Sequence, residues 1–435
     1  MPNAFEMAAP PTATRVEKRS AAWWEDLRGI AGAEQVRPAG PGDCVAGVQP
    51  DAVFEPGTEK ELAAALRYAD AAGLSVVPRG GGTKTGWGNP PTRADLILSM
   101  ARLNRVIEHA WADLTVSVEA GCTFQQLQNT LLQHGQRIAV DPLWPERATI
   151  GGILSTNDSG TLRIRYGGLR DLIIGMTIAL PDGTLASSGG KVVKNVAGYD
   201  LPKLATGALG TLGVITRAIF RLHPLPHNLR SFTFDARDLT GANRIMLAVQ
   251  DSKLAHTGLQ ARFSEGTTPV VDVRFEGTDA GIAAQTETLR KLAAPAAETA
   301  TGDAIWQARQ ELWSSGDAAI AKFSVLPASV AEVCGRVRHL GDSFGVRWSA
   351  VVQGTGLGWL RLEASSAPAI HQVLQILRSE LEQMGGSFVM LHRPAALPVI
   401  EAWGSVGGAF PLMLNVKQQF DPRGTLNPGR FIGGI

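Results

Sequence analysis

Cysteine is scarce in this chain. Only three of its 435 residues are cysteines, and they lie far apart, at Cys44, Cys122 and Cys334. An odd number of widely spaced thiols provides neither a disulfide framework nor the four-thiolate spacing of an iron–sulfur cluster. We expect all three to be small, buried and reduced residues.

Long apolar runs and an excess of charge are missing as well. No run of the sequence reaches the roughly 18 apolar residues that a transmembrane helix needs. The 41 basic residues balance the 40 acidic ones to a net charge of +1, which argues against nucleic acid or a strongly anionic membrane as a partner. Residues 1–20 carry Pro10-Pro11 and scattered charges without an apolar core, so we predict a disordered leader and not a signal peptide. A cytoplasmic location is expected.

Two common nucleotide-binding motifs are absent. No Gly-x-Gly pair is followed by a third glycine at the spacing of the dinucleotide fingerprint, and no glycine cluster ends in Gly-Lys-Ser or Gly-Lys-Thr. These absences argue against a Rossmann dehydrogenase and against a P-loop NTPase.

A different glycine-rich segment is present. It reads Pro78-Arg79-Gly80-Gly81-Gly82-Thr83-Lys84 and follows a β-like run from Leu74 to Val77. Glycine reaches backbone angles closed to other residues, so successive N–H groups can surround an anion while the missing Cβ lets a pyrophosphate approach the main chain. Arg79 and Lys84 would add cationic donors. On this segment alone, an ordinary flexible turn remains the alternative.

Strand and helix patterns alternate along the first half of the chain. Thr58-Glu59-Lys60-Glu61 is typical of a capping box and predicts a helix that ends near Gly73. A second helix is predicted from Thr123 to about Gly135, and strands are predicted over Asp95–Met100 and Leu114–Val118. The two prolines of Leu222–His227 predict an exposed connector between domains.

The second half also mixes both kinds of element. Strands are predicted over Val270–Phe275 and Ala318–Val325, and helices over Ala280–Leu292 and Ile370–Met384. The Ala-rich stretch Leu292–Thr301 is predicted to be a surface loop or a helix end. A chain of this length exceeds the usual size of one core, so we predict an α+β protein of two domains.

Further motifs follow the triple glycine. They are Asp141-Pro142, Ala148-Thr149-Ile150-Gly151-Gly152, Thr156-Asn157-Asp158-Ser159-Gly160, Gly207-Ala208-Leu209-Gly210-Thr211-Leu212-Gly213-Val214-Ile215-Thr216 and Phe420-Asp421-Pro422-Arg423-Gly424-Thr425-Leu426-Asn427-Pro428-Gly429-Arg430. In order and spacing this series resembles the PCMH-type FAD-binding domain of the vanillyl-alcohol-oxidase family.

That resemblance implies a cofactor and a domain plan. The cofactor would be FAD, noncovalently bound because no histidine stands in or beside the glycine loop. The plan is a leader over 1–20, a PCMH-type FAD-binding domain of two α/β subdomains over 21–226, an α+β cap or substrate domain over 227–412, and a segment over 413–435 that returns to the FAD domain. The cofactor-binding residues implied are Pro78, Arg79, Gly80, Gly81, Gly82, Thr83, Lys84, Pro142, Thr149, Ile150, Gly151, Gly152, Thr156, Asn157, Ser159, Gly160, Gly210, Val214, Ile215 and Asn427.

One branch of the family is matched more closely. Lys194-Asn195-Val196-Ala197-Gly198-Tyr199-Asp200-Leu201, together with the later Gly-Thr-Leu-Gly-Val-Ile-Thr run, is similar to the FAD-binding subunit of bacterial glycolate oxidase. The resemblance implies an FAD-dependent oxidoreductase that acts on CH–OH groups within a complex. Its partners would be a second FAD subunit and an iron–sulfur subunit, and any membrane association would be through those partners.

The metal site of related D-2-hydroxyacid dehydrogenases is not expected here. The corresponding segment is Val352–Trp359, which keeps glycines but lacks both histidines. His223 and His227 are four residues apart, but the prolines around them prevent a helical pair of ligands, so we predict a solvated connector and no metal. His392 and Arg393 are the candidate catalytic residues, as a base and a carboxylate anchor; the alternative is an arginine that pairs at a domain interface.

Three functions remain open from the sequence. The chain is a glycolate oxidase subunit, a stand-alone FAD-dependent oxidoreductase for another 2-hydroxy acid or alcohol, or an FAD-holding assembly and electron-relay subunit without turnover of its own. Trp87 and Trp359 are candidates for contacts with flavin or substrate, but burial in a core or a subunit interface is the favoured interpretation.

Overall fold

The computed structural model describes residues 22–190, 200–300, 302–314 and 317–435. The predicted leader over 1–20 and the motif residues Lys194–Tyr199 lie outside these ranges.

The N-terminal region contains two sheets and a two-stranded ribbon. Its first sheet has the order β1-β2-β4-β3, with strands β1 Val36–Pro38, β2 Ala52–Phe54, β3 Val76–Arg79 and β4 Leu96–Ser99. The following strands are β5 Val106–Ala110, β6 Thr115–Glu119, β7 Gln136–Arg137, β8 Ile173–Ala179, β9 Leu185–Gly189, β10 Val214–Arg221 and β11 His223–Pro224. The second sheet has the order β5-β6-β10-β8-β9, and β7 pairs with β11.

Seven helices belong to the described part of this region. They are α1 Ala22–Ala31, α2 Glu59–Ala71, α3 Phe124–Leu132, α4 Ile150–Thr156, α5 Arg163–Tyr166, α6 Leu169–Leu172 and α7 Leu201–Ala205. Thr58 caps α2 by accepting a hydrogen bond from the Glu61 backbone N–H at 3.1 Å, and this confirms the predicted helix start. One apolar core joins both sheets and runs from Trp23 to Leu426.

The C-terminal region is one eight-stranded sheet with helices on one face. Its strands are β12 Asn228–Asp235, β13 His256–Ser264, β14 Val270–Gly277, β15 Ala297–Thr299, β16 Ala319–Ser324, β17 Arg347–Gln353, β18 Leu357–Glu363 and β19 Ser387–His392, in the order β15-β12-β14-β13-β17-β18-β16-β19. Its helices are α8 Leu239–Gln250, α9 Asp279–Ala293, α10 Ala308–Glu311, α11 Val330–Phe344 and α12 Ala367–Gln383, followed by α13 Phe410–Phe420.

Side chains alternate between the two faces of this sheet. On β16, Ala319, Ala321 and Phe323 belong to the core shared with the helices, whereas Ile320 packs with Trp87 and Leu143 of the N-terminal region. Because successive residues of a strand point to opposite faces, one face serves the helices and the other faces the N-terminal region. We call the latter the inner face of the cap sheet.

The end of the chain returns to the first sheet. The backbone N–H of Val76 donates to the carbonyl of Thr425 at 2.8 Å, and Val76 forms a parallel bridge with Leu426. This return brings Asn427 beside the end of β3, where the glycine loop begins.

Three expectations need correction. The Ala-rich stretch after α9 contains the edge strand β15, which pairs with β12 because backbone hydrogen bonding to a neighbouring strand overrides the weak strand propensity of alanine. His223 is not a solvated connector residue: it lies in β11, and its ring packs at 4.8 Å from that of Tyr166. Cys122 and Cys334 are buried as expected, but Cys44 is exposed because it follows a surface turn.

Candidate functional site

A cleft opens where β3 ends. Its first wall is the loop Gly80–Gly82. A Cβ added to Gly80 would lie 1.9 Å from Oγ1 of Thr149, and one added to Gly81 would lie 1.7 Å from the carbonyl oxygen of Arg147. Gly82 has a φ of +69°. The loop therefore requires glycine for close backbone approach at two positions and for conformation at the third.

The opposite wall comes from α4, the loop before β10 and the C-terminal return. Thr149 caps α4 by accepting from the backbone N–H of Gly152 at 3.3 Å. Most residues that the motifs indicated meet in this one cleft, namely Pro78, Arg79, Gly80, Gly81, Gly82, Thr83, Lys84, Thr149, Gly151, Gly152, Thr156, Gly210, Val214, Ile215 and Asn427.

Five indicated residues do not line the cleft. Pro142 and Gly160 line a second cavity between the two regions. Ile150 is in the apolar core, Asn157 ends α4 with a φ of +48°, and Ser159 is buried with its hydroxyl unpartnered among the described residues. These five residues therefore do not face the cleft in this structure.

The two cations of the glycine loop are already paired. Nη1 of Arg79 lies 2.7 Å from Oδ1 of Asp43, whose other oxygen accepts from Arg37 at 2.7 Å. The hydrogen bond from Arg37 is the main reason why the pKa of Asp43 lies well below its usual range. Arg79 is therefore not a free charge in the cleft, contrary to the expectation from its position in the motif.

Lys84 belongs to a buried network that joins the two regions. Its Nζ lies 3.2 Å from Oδ2 of Asp158, and Nη1 of Arg309 lies 2.7 Å from Oδ1 of the same carboxylate. Arg309 comes from α10 and also donates to the carbonyl of Asp141 at 2.7 Å. Burial acts to raise the pKa of Asp158, but the two cations and the hydrogen bonds outweigh it and lower the pKa to about 2.

Four tryptophans surround these charges. We call Trp87, Trp144, Trp313 and Trp359 the indole cluster. The rings of Trp87 and Trp313 are stacked at 6.1 Å, and Trp144 meets Trp313 edge-on at 5.1 Å. Nζ of Lys84 lies 5.4 Å from the ring of Trp144, and the guanidinium of Arg309 lies 4.8 Å from that of Trp359. The favoured interpretation of Trp87 and Trp359, core burial, is confirmed.

One further lysine faces the indole cluster. Lys322 lies on β16, on the inner face of the cap sheet, with Nζ 5.7 Å from the ring of Trp359. Burial lowers its pKa to about 8, so the amine remains mostly charged at neutral pH. No motif surrounds Lys322 in the sequence, and only the alternation of side chains along β16 places it here.

The two candidate catalytic residues lie at the C-terminal end of β19. His392 is the last residue of this strand, and Arg393 follows it. The ring of His392 is 6.0 Å from that of Trp313 and lines a third cavity with Arg393. Nη1 of Arg393 donates to the carbonyl of Leu397, a few residues along the same loop. The structure therefore brings His392 to the indole cluster, while Arg393 supports its own loop.

The cleft also contains residues that the motif analysis missed. They are Thr85, Met100, Ala120, Ser155, Leu209, Gly213 and Arg430. Arg430 closes the C-terminal motif and donates to the carbonyls of Thr85 and Trp87, each at 2.6 Å, while burial lowers its pKa to about 10. The position of Arg430 in the C-terminal motif could have indicated that it belongs to the site. Met100 and Ala120 each follow a strand, and no sequence motif indicates their role.

Two polar atoms at the cleft have no hydrogen-bond partner among the described residues, and they fit a dinucleotide ligand. Among the described residues, Oδ1 of Asn427 and Nε of Arg430 are buried without a partner. An unpaired acceptor and an unpaired cationic donor beside a glycine loop fit the hydroxyls and phosphates of FAD. Gly80, Gly81, Thr149, Asn427 and Arg430 are the residues that would hold it.

Comparison with known proteins agrees with this geometry. A family model described as an FAD binding domain matches residues 50–189. A D-2-hydroxyglutarate dehydrogenase of Xanthomonas citri pv. viticola is 28% identical over 421 residues, which cover 88% of this chain and 89% of the relative. A D-lactate dehydrogenase of Archaeoglobus fulgidus is 26% identical over 405 residues, which cover 87% of this chain and 91% of the relative. Glycolate oxidase subunit GlcD of Bacillus subtilis is 35% identical, over 42% of this chain and 39% of the relative.

Solved structures share the fold. A p-cresol methylhydroxylase matches with a TM-score of 0.76 at 14% identity, covering 94% of this chain and 96% of that one. An alkyldihydroxyacetonephosphate synthase matches with a TM-score of 0.73 at 15% identity, covering 97% and 87%. The protein has the PCMH-type fold with an α+β architecture, its cofactor is FAD, and it is an FAD-dependent oxidoreductase. The matches make the chain similar to FAD-linked oxidases.

Two kinds of feature are absent from the described residues. No group of three or more histidine, cysteine, aspartate or glutamate side chains there is arranged to hold a metal ion. No helix in those ranges is long and apolar enough to cross a membrane.

Proposed function

We propose that this protein oxidises glycolate to glyoxylate as the FAD-binding subunit of a glycolate oxidase complex. The observation that carries the proposal is a surplus of hydrogen-bond donors where the two regions meet. Lys322 has no ion-pair partner among the described residues, and the indole N–H groups of Trp87, Trp313 and Trp359 are buried there without acceptors. A buried group of unpaired donors favours an anionic acceptor such as a carboxylate.

Charge in this region also favours an anion. Lys84, Arg309 and Lys322 carry three positive charges, and Asp158 is the carboxylate that pairs with the first two. The excess makes a carboxylate ligand favourable because burial strengthens each charge interaction. We assign carboxylate binding to Lys322, with the indole N–H of Trp359 beside it as an additional donor.

The substrate class is supported by the names of the relatives. Those matched along nearly their whole length are named as dehydrogenases of D-2-hydroxyglutarate and D-lactate, and the glycolate oxidase subunit is matched over a shorter part. All three names refer to 2-hydroxy acids. Bound FAD would accept a hydride from the C–H group of such an acid. His392 is our candidate acceptor of the hydroxyl proton because its ring adjoins the indole cluster.

The partners belong to the same proposal. The complex would contain a second FAD subunit, and an iron–sulfur subunit would receive the electrons, since the three cysteines of this chain are too few for a cluster of its own. A stand-alone dehydrogenase of another 2-hydroxy acid is the second candidate, favoured by the long matches to relatives that are named as dehydrogenases. A relay subunit without its own turnover remains the third.

The test is anaerobic reduction of the bound flavin. The purified chain is reconstituted with FAD and mixed with glycolate, D-lactate or D-2-hydroxyglutarate, alone and with the co-expressed partners, while the visible flavin absorption is followed. Glycolate bleaching that requires or is accelerated by the partners supports the proposal. Bleaching by one of the longer acids in the isolated chain, with glycolate inactive throughout, supports the second candidate. If no acid reduces the flavin of the isolated chain, but this flavin is reduced when an active partner is present, the chain is an electron-relay subunit.

A further inference from the structure

A second cavity lies between the two regions, beside the FAD cleft. It has a volume of about 510 Å³, within the roughly 300–1,000 Å³ of small-molecule sites. Leu143 and Arg309 line it, and both contact the Lys84–Asp158 pair, whose lysine lines the FAD cleft. The two spaces therefore meet at this ion pair.

Glutamine amides dominate the polar part of the cavity wall. Six glutamines line it, namely Gln125, Gln128, Gln260, Gln307, Gln310 and Gln353. Several are already engaged: the side-chain N–H₂ of Gln260 donates to Asp272 at 3.0 Å and to the carbonyl of Ile305 at 2.9 Å, and that of Gln125 donates to Asn129 at 2.8 Å. The ring of Trp306 lines the same cavity.

Gln353 differs from its neighbours. It is the last residue of β17, on the inner face of the cap sheet, and only 2% of its surface is exposed. Its Oε1 is buried without a hydrogen-bond partner among the described residues. A buried unpaired amide oxygen is costly, so its presence in a cavity wall indicates a donor on a ligand.

The chemistry of the amide restricts that ligand. A carboxylate only accepts hydrogen bonds and cannot satisfy Oε1, whereas a hydroxyl group both donates and accepts. Further amides and an indole ring around the same space suit a compound with several hydroxyl groups, whose polar and C–H surfaces both need partners. Lys322, to which we assign the carboxylate, and Arg309, which lines the cavity, contact the same ring of Trp359, so the acid group would lie at one end of the cavity.

We propose that this cavity holds the hydroxylated chain of a sugar acid, with Gln353 as a specificity-determining contact. This inference rests on the proposed oxidation of a 2-hydroxy acid and extends its substrate class to acids with further hydroxyl groups beyond C2. Oxidation at C2 gives the 2-oxo acid: one hydride, with both electrons, passes to FAD, and the hydroxyl proton passes to a base.

The experiment compares acids that differ in their hydroxyl groups. D-glycerate is paired with D-lactate, and D-gluconate with D-2-hydroxyhexanoate, and the apparent kcat/KM for anaerobic flavin reduction is measured for each in the holoprotein. We expect the hydroxylated member of each pair to be preferred by about tenfold or more, since a site that hydrogen-bonds a hydroxyl discriminates strongly against an analogue that lacks it. If the two acids of each pair react with equal kcat/KM, the inference is wrong, and no variant is needed to show it.

Matched variants then locate the contact. Gln353→Leu should reduce the preference by about tenfold, the order of one lost hydrogen bond with its partner left unpaired. Gln125→Leu is the control, because this glutamine lines the same cavity but its amide is engaged within α3. FAD content, read from the absorption spectrum, establishes that both variants are folded. An equal effect of the two substitutions contradicts the role of Gln353.

Failure of the proposed function is separable from failure of this inference. If neither these acids nor glycolate reduces the flavin, even with the partner subunits present, the proposed oxidation is wrong, and binding is measured instead by equilibrium dialysis of radiolabelled D-gluconate. Saturable binding that Gln353→Leu weakens and Gln125→Leu does not would retain the cavity as a sugar-acid site. Absence of such binding would reject it.

Discussion

The FAD cleft is lined mainly by backbone and small side chains, whereas the inner face of the cap sheet presents long charged and aromatic ones. In the cleft, Gly80 and Gly81 are contacted so closely that any Cβ would collide with the facing segment. On the inner face, Lys322, Gln353 and Trp359 extend from three different strands. From this difference we expect the cofactor to be held by the shape of the main chain and substrate choice to depend on side chains.

The Asp158 network joins the two regions, and its removal should have the largest effect. Asp158→Asn leaves Lys84 and Arg309 buried without their carboxylate. Breaking a buried pair in this way costs about 3–5 kcal/mol of unfolding free energy, to be measured by denaturant titration. Glu287→Gln is the control, since its pair with Lys291 is exposed and is worth about 0.5 kcal/mol or less. Equal losses would mean that the network does not hold the regions together.

The same network predicts a dependence on pH. The pKa of Asp158 is lowered to about 2, so its contribution to stability is complete above the ordinary aspartate pKa of about 4 and is lost as the pH falls through about 2. The difference in unfolding free energy between wild type and Asp158→Asn should shrink over this interval. A difference that stays constant from pH 5 to pH 2 would contradict the assignment.

The backbone character of the cleft can be tested at Gly81. An added methyl group would lie 1.7 Å from the carbonyl oxygen of Arg147, so the loop must shift in Gly81→Ala. We expect FAD affinity to fall by about a hundredfold, as for overpacking of a tightly packed site. The measurement is a titration of FAD fluorescence. Gly86→Ala is the control, because a Cβ there would meet no described atom within 4 Å, and it should bind FAD as wild type does.

The side-chain character of the inner face can be tested at Lys322. Lys322→Met should lower kcat/KM for the acid by about 10- to 100-fold through the loss of a charge-assisted hydrogen bond, while FAD content stays unchanged. Lys322→Arg should retain most activity. In wild type, the ammonium loses its proton as the pH rises through about 8, so affinity for the acid should decline above that pH. The methionine variant should lack this decline, and a decline of equal size in both would exclude Lys322 as its cause.

The smallest effect is expected at Arg79. This guanidinium lies at the glycine loop but is paired with Asp43, which also binds Arg37. Arg79→Met should therefore weaken FAD binding by less than about tenfold, the cost of one partly exposed charge contact. A loss as large as that of Gly81→Ala would mean that charge, and not backbone shape, dominates the cleft.

The sequence predicted the cleft better than the inner face because the cleft is built from contiguous segments. The cleft is formed by the glycine loop, the segment Thr149–Gly152 and the C-terminal motif, and all three can be recognised from the sequence alone. Other residues of the same motifs do not line the cleft, namely Pro142, Ile150, Asn157, Ser159 and Gly160. Motif membership does not tell which residue of a turn or helix points to the ligand, because that depends on local backbone rotation.

The secondary structure was also predictable where local signals were strong. The cap at Thr58 and the apolar spacing that follows it fixed the start of α2. The edge strand β15 was missed because it is a strand only through its pairing with β12, more than sixty residues away in the chain. Alanine-rich segments have little strand preference of their own. The exposure of Cys44 and the packing of His223 depend in the same way on distant neighbours.

By itself, the sequence determined the α+β class and, through its resemblance to the PCMH-type domain, the FAD cofactor and the glycine loop that we propose holds it. Each follows from residues close together in the chain, whose conformational needs are local. Only the tertiary structure decided that Arg79 is paired, that Lys84, Asp158 and Arg309 form one buried network, and that Lys322 and Gln353 face the space between the two regions. Those facts depend on strand register and on which face of a sheet is covered, and both are fixed by packing between segments far apart in the sequence.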